Sequence, residues 1–351
     1  MKAAQFYNNH DIRIEDVPEP IPGEGQVVVD VEWCGICGSD LHEYLLGPLT
    51  TTTTPTTLGH ELCGRVRNPP STSKFHDGDP VIIDPRILCK TCPACKSGST
   101  AACYNLGYIG GGGGTRFGGF GEKVVVEEES VHKLPEQIGL EDAAVLEPLV
   151  IVNHAVKVSG VKRGEWGEKS VLVVGGGPIG FGVLLILRAM GAGKVFVSEP
   201  AEMRRRQVRE FCGEEGVINP LEEDVATRVK EQTVEKRGVD VVFDCAGVKA
   251  GLDSAMEALR FEGLYVMVAG WETPMTVPCF TFLHKHITMK GSLIFGDGDL
   301  EEVMEMIVKG ELKGYEKMIT GRIALEEIVE KGFRELIENK DEHVKILVRP
   351  R

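Results

Sequence analysis

Cys89, Cys92, Cys95 and Cys103 fall within fifteen consecutive positions, in the spacing C-x2-C-x2-C-x7-C. Four thiolates so spaced can close a tetrahedral shell around zinc and leave no position for water or substrate. Such a site is structural and pins a loop. Four unligated thiols are the plain alternative, but they give the crowding no reason. A second set of donors is scattered: Cys37, His60, Glu61 and Glu147. An open zinc site takes three or so N, S and O ligands and keeps one position for a reacting group. Taken singly these residues are weak signals. A surface histidine beside a glutamate is common, and a lone cysteine is more often a small buried hydrophobe.

A third constellation is the glycine pattern G175-x-G177-x-x-G180, which includes Pro178 and Ile179. It follows an apolar run predicted as a strand over 170–174 and opens a helical run to Met190. Gly175 permits a tight turn, Gly177 lets the backbone approach a pyrophosphate, and Gly180 allows close packing of helix on strand. The helix N-terminus then offers N–H groups to phosphates. Glu199, at the end of the next predicted strand (194–198), stands where a carboxylate accepts hydrogen bonds from the adenosine ribose hydroxyls. A glycine-rich turn is the simpler reading, but strand, motif, helix, strand and acid in that order favour a dinucleotide site. Glu199 would repel a 2′-phosphate, so NAD is expected over NADP. Arg204, Arg205 and Arg206 oppose that preference, and Arg204 joins the cofactor-binding candidates; an exposed helix face is their plainer role.

The elements that must position these residues differ along the chain. Residues 1–45 look like short strands, and 26–33 (QVVVDVEW) alternates apolar and polar with the period of a half-buried strand. Residues 48–57 (PLTTTTTPTT) form a low-complexity surface loop, and 107–121 hold nine glycines, too many for a helix interior or packed strand. From about 168 the texture changes: predicted strands at 170–174, 194–198, 239–243 and 264–269 alternate with helical stretches, which means βαβ units and a parallel sheet. After Gly291 short mixed elements return, ending in a strand-like 343–348.

The 351 residues suggest two domains at roughly 150 residues each. A net charge of -14 makes a nucleic-acid partner unexpected, because the phosphate backbone needs a basic face. Apolar runs such as 183–187 are far short of the ~20 residues of a membrane span, so no membrane partner is expected. The polar start, 1–11, lacks the apolar stretch of a signal peptide. The expected compartment is the cytoplasm, where ten cysteines are a poor fit to a disulfide set.

Taken together these motifs resemble the zinc-containing medium-chain alcohol dehydrogenase family, over nearly the whole chain. Cys37-Gly38-Ser39-Asp40-Leu41-His42 resembles its first zinc-ligand motif and Leu58-Gly59-His60-Glu61 its GHE signature. The four-cysteine lobe and the 175–180 turn match as well. Glu147-Pro148-Leu149 is similar to the version in polyol and butanediol dehydrogenases. Both chain ends, 11–16 (DIRIED) and 343–348 (HVKILV), resemble the (R,R)-butanediol branch. Leu62-Cys63 and the threonine-rich loop depart from the family pattern.

The resemblance implies an α/β fold. A GroES-like, mostly-β catalytic domain would span 1–155 and 292–351, with a structural zinc lobe at 89–103. A Rossmann domain with a doubly wound parallel sheet would span 156–291, with the active site in the cleft between the two. It implies two zinc ions per chain: a catalytic one on Cys37, His60 and Glu61, with Glu147 either ligating it or holding its water, and a structural one on the four cysteines. It implies NAD, and a homodimer or homotetramer. The substrate would be a secondary alcohol, a vicinal diol or a polyol, or its ketone, with 2,3-butanediol and acetoin foremost and sorbitol, xylitol or a specialised metabolite as alternatives. Zinc would acidify the alcohol, Ser39 would accept its proton, and His42 would relay it to solvent; a local turn hydrogen bond and an ordinary surface histidine are their plainer roles. Two other readings stand beside this one. One is a family member recruited to reduce an iminium or unsaturated carbonyl; the other is a non-catalytic binding protein on the same fold.

Overall fold

Alternate burial builds the first half of the molecule. Val27, Val29 and Val31 share one core with Leu62 and Val66, Val81 and Ile83, Val124 and Val126, and Ile346 and Val348. Each set repeats at two or four residues, so one face of every strand turns inward. The strands form one sheet in the order Val131–Lys133, Pro80–Ile83, Glu61–Arg67, Gln26–Gly35, Lys345–Arg349, Ile319–Ala324, with Lys123–Glu127 also paired to Gln26–Gly35. Most pairs are antiparallel; Ile319–Ala324 and Lys345–Arg349 run parallel. A three-stranded sheet of Asp11–Asp16, Lys2–Asn8 and Thr56–Thr57 completes this unit, along with a two-stranded ribbon of Arg86–Ile87 and Gly107–Tyr108.

The computed structural model describes residues 1–51, 53–112 and 117–351. Parts of the expected threonine-rich and glycine-rich loops, Thr52 and residues 113–116, lie outside the described residues. The chain divides into one unit of Met1–Glu147 with Ile319–Arg351 and another of Pro148–Met318.

In the second unit the apolar run at Ser170–Val174 is buried from Val171 onward, as a strand inside a covered parallel sheet requires. Six parallel strands lie in the order Val217–Ile218, Lys194–Ser198, Ser170–Val174, Val239–Asp244, Leu259–Met267, Thr288–Gly291. Numbered along the chain this is 3-2-1-4-5-6, the doubly wound order whose reversal point lies beside the first strand. The glycine turn leaves that first strand. The helix after it, Pro178–Ala189, has proline at its first turn and is buried continuously from Gly180 to Leu187.

The seams between units fall at 147/148 and 318/319, where 155/156 and 291/292 were expected. The second shift has a definite cause. Helix Asp299–Val308 packs in the second unit through Leu300, Val303, Met304 and Ile307, a helical repeat masked in the sequence by the acidic first turn of Asp299, Glu301 and Glu302. Asp299 is buried and pairs with His154 at 2.7 Å and Lys157 at 2.6 Å, both on helix Leu146–Val158. No helix among the described residues is long and apolar enough to cross a membrane.

Candidate active site and metal centres

Strand register brings the first donor set together. Gly35, at the end of Gln26–Gly35, pairs with Glu61, the first residue of the opposing strand. A Cβ at Gly35 would stand 2.1 Å from Glu61 Oε2, so glycine there leaves room for the buried Glu61 carboxylate. Cys37 follows at the N-cap of helix Gly38–Leu46. Asp40 in the first turn accepts the Cys37 N–H at 2.9 Å and the Gly59 N–H at 3.3 Å, tying the turn that carries the cysteine to the turn that carries His60. Gly59 has φ +96°, a conformation that L side chains rarely adopt, and its Cβ would meet Cys34 Sγ at 2.8 Å.

The result is that Cys37, His60 and Glu61 each offer a ligand atom, all within 4.8 Å of one another. Glu61 Oε2 is buried with no hydrogen-bond partner, and His60 Nδ1, also without one, lies 3.8 Å from Asp40 Oδ1. An orphaned buried polar atom costs about 1–3 kcal/mol, a cost that a cation bound beside Glu61 would remove. A thiol, an imidazole and a carboxylate are also the donor types zinc accepts. The residues therefore fit the metal. Glu147, in the first turn of Leu146–Val158, is buried but stands outside that close group of three. Burial pushes its carboxyl up to about 7; His60 pulls it down and Glu61 pushes it further up. Burial disfavours charge on His60, yet Cys37 and Asp40 beside it outweigh burial and raise its pKa well above the ordinary range.

Ser39 Oγ lies 3.5 Å from His60 Nε2. His42 is half-buried in the next turn of the same helix. Two residues of this site escaped sequence reasoning. Lys345 is 3 % exposed and donates to Glu61 Oε1 at 2.6 Å and to the Ile36 carbonyl at 3.0 Å. Its signal was a lysine opening an otherwise apolar strand, K-I-L-V. Asp40 stands three residues after Cys37, the spacing of a capping box, which could have marked it.

In the cysteine lobe Cys92 caps the short helix Pro93–Lys96 and brings Cys95 round beside it. All four sulfurs lie within 4.8 Å of one another. Cys89 Sγ is 4.0 Å from Cys95 Sγ and 3.5 Å from Cys103 Sγ. Around a zinc with Zn–S of about 2.3 Å, tetrahedral sulfurs stand about 3.8 Å apart, so the set fits the ion. Backbone N–H groups of Thr91 and Cys92 pull the Cys89 thiol down to about 5. Those of Tyr104 and Cys95 lower Cys92. Burial pushes Cys95 up to about 12.

In the second unit Gly175 has φ +95°, and a Cβ at Gly180 would stand 1.8 Å from the Gly175 carbonyl oxygen. Nothing approaches a Cβ at Gly177 closer than 3.6 Å, and the atom at that distance is Arg204 Nη1. Pro178 and Ile179 begin the helix behind it. Glu199 is buried; its carboxylate accepts the Gly176 N–H at 2.6 Å and the Ala201 N–H at 2.8 Å. Of the three arginines, Arg205 and Arg206 pair with Glu202, whereas Arg204 faces the glycine turn.

Comparison with known proteins finds relatives over the whole chain. The Alcohol dehydrogenase GroES-like domain matches residues 23–136 and the Zinc-binding dehydrogenase domain residues 178–309. The whole chain is 36 % identical to the (R,R)-butanediol dehydrogenase of Saccharomyces cerevisiae, covering 98 % of that protein. The crystal structure of 2R,3R-butanediol dehydrogenase from Bacillus subtilis matches with a TM-score of 0.88 at 34 % identity, covering 100 % of this chain and 99 % of that one. A protein of Sinorhizobium meliloti 1021 solved with NADP bound matches with a TM-score of 0.85 at 29 % identity, covering 99 % of each chain.

Proposed function

The chain belongs to the zinc-containing medium-chain alcohol dehydrogenase family, and from that premise we propose that it interconverts a small vicinal diol and its hydroxyketone, 2,3-butanediol and acetoin foremost, with NAD(H). The observation that carries this reading is the Cys37–His60–Glu61 group, in which each residue offers a ligand atom and all three lie within 4.8 Å of one another. When bound, zinc supplies a Lewis acid that polarises the alcohol oxygen, and NAD supplies the hydride acceptor.

The chain's own residues do the rest. Cys37, His60 and Glu61 hold the ion, and Glu147 either joins them or holds a water beside it. Lys345 balances the charge of Glu61 and holds its carboxylate through Oε1. Ser39 Oγ, 3.5 Å from His60 Nε2, is placed to take the alcohol proton, and His42 passes it on. Cys89, Cys92, Cys95 and Cys103 hold a second zinc, whose binding energy is folding energy for their loop. Gly175, Gly177 and Gly180, with Pro178 and Ile179 opening the helix, cradle the cofactor pyrophosphate. Glu199 meets the adenosine ribose and favours NAD, and Arg204 contacts the cofactor from the side of Gly177. The enzyme works in the cytoplasm as a homodimer or homotetramer.

The test is a substrate panel with both cofactors: 2,3-butanediol stereoisomers, acetoin, diacetyl, sorbitol, xylitol, simple secondary alcohols and unsaturated carbonyls. Turnover of a vicinal diol with NAD supports the reading. Reduction of unsaturated carbonyls with no alcohol oxidised contradicts it.

A further inference from the structure

The threonine-rich loop is anchored at its start by one buried carboxylate. Glu43, 2 % exposed on helix Gly38–Leu46, receives five hydrogen bonds from three successive residues. The donors are Leu49 N at 2.9 Å, Thr50 N at 2.6 Å and Thr51 N at 3.3 Å, with Thr50 Oγ1 at 2.5 Å and Thr51 Oγ1 at 3.1 Å. An ionised carboxylate only accepts, and converging donors stabilise that form. The single hydroxyl hydrogen of Thr50 is therefore committed to Glu43.

Thr50 Oγ1 has a second neighbour, Tyr108 OH, at 2.8 Å. With the threonine hydrogen already used, Tyr108 must be the donor in this pair. Thr50 is the hydrogen-bond partner of the Tyr108 phenol among the described residues, so the rest of the phenol oxygen presents lone pairs alone. The Tyr108 ring is half-buried and stands edge-on to His60, with ring centroids 5.3 Å apart. The ring that carries this fixed acceptor thus stands beside His60, a residue of the metal-ligand group.

We propose that Tyr108 is a specificity-determining residue that accepts a hydrogen bond from the second hydroxyl of a vicinal diol, with Glu43 and Thr50 as the residues that set its polarity. The inference rests on the reading of Cys37, His60 and Glu61 as the alcohol-binding metal centre. It separates substrates by chemistry. A vicinal diol and a hydroxyketone both keep a hydroxyl that donates to Tyr108. A monoalcohol has none, and a diketone brings a carbonyl oxygen against another acceptor.

The experiment compares wild type, Tyr108→Phe and Thr50→Val on 2,3-butanediol against 2-butanol, and on acetoin against diacetyl. Wild type favours 2,3-butanediol and acetoin. Tyr108→Phe lowers kcat/KM for the diol about tenfold, mainly through KM, and leaves 2-butanol within about twofold. Thr50→Val frees the tyrosine hydrogen to donate, so diacetyl gains relative to acetoin, a change that loss of packing alone does not produce. If both ratios stay within about twofold of wild type in both variants, the inference is overturned while the metal-centre reading stands. If wild type oxidises neither alcohol, the metal-centre reading fails and takes the inference with it.

Discussion

Lys345 Nζ lies 2.6 Å from Glu61 Oε1, and both side chains are almost completely buried although 284 positions separate them. The pairing of Lys345–Arg349 with Gln26–Gly35 makes this contact possible, because that strand also pairs with the one that begins at Glu61.

Removing one member of such a pair leaves an uncompensated buried charge, at a cost of about 3–5 kcal/mol. Lys345→Met should lower the melting temperature by several degrees and make zinc easier to extract from the Cys37–His60–Glu61 group. Lys345→Arg should restore much of both. Unchanged stability and zinc retention in Lys345→Met would show that the pair does not support the site.

The two proposed zinc sites should fail in different ways. Cys37→Ser or His60→Ala should abolish turnover while the protein stays folded, because the core does not depend on that ion. Cys95→Ser attacks a loop whose order depends on its metal, so the melting temperature should fall first and activity only with it. Melting temperature and kcat on the same preparations distinguish the two. The opposite pattern would mean that the roles are exchanged.

Cofactor choice should turn on Glu199 and Arg204. Like charges a few ångström apart in a partly dry site cost on the order of a few kcal/mol. Glu199→Ala should therefore narrow an NAD-over-NADP ratio of kcat/KM by on the order of tenfold, and Arg204→Ala should widen it. Equal ratios in all three proteins would remove both residues from the discrimination.

The Asp299 cluster should shape acid stability. Burial raises the Asp299 carboxyl, but hydrogen bonds from His154, Lys157 and the Gly296 N–H outweigh it and hold the pKa below the ordinary 3.8. A depressed carboxyl contributes stability that is present above the unfolded value and lost as pH falls through the folded one. Burial opposes charge on Lys157, but Asp299 and Glu302 raise its pKa above 10.5, so its share is present below that value and lost as pH rises beyond it. Asp299→Asn should lower the melting temperature by several degrees at neutral pH, and the difference from wild type should shrink below pH 3.8. A difference that persists unchanged into strong acid would contradict the assignment.

What was legible in the sequence had short range. The spacing of Cys89, Cys92, Cys95 and Cys103 and the run Gly175–Gly180 carry their chemistry within one loop or turn, so type and spacing were enough. The alternating valines of Gln26–Gly35 showed a strand for the same reason. Lys345 left a local mark, a lysine opening an apolar strand, but its partner Glu61 was not legible, because strand order fixes the pair and no local pattern encodes that. Tyr108 was not legible because its role depends on where a hydrogen of Thr50 points, and that depends on Glu43. Helix Asp299–Val308 was hidden by the acids of its first turn. The resemblance to a family supplied Cys37, His60 and Glu61 as a set, and strand register shows why they converge.

The most direct test of the account is the rate of NADH formation from 2,3-butanediol, measured on one preparation before zinc extraction, after extraction from the Cys37–His60–Glu61 group, and after zinc is returned. Turnover is expected to be lost with the metal and regained with it, in a protein whose melting curve shows it folded throughout. Full turnover with that zinc absent by elemental analysis would contradict the central claim.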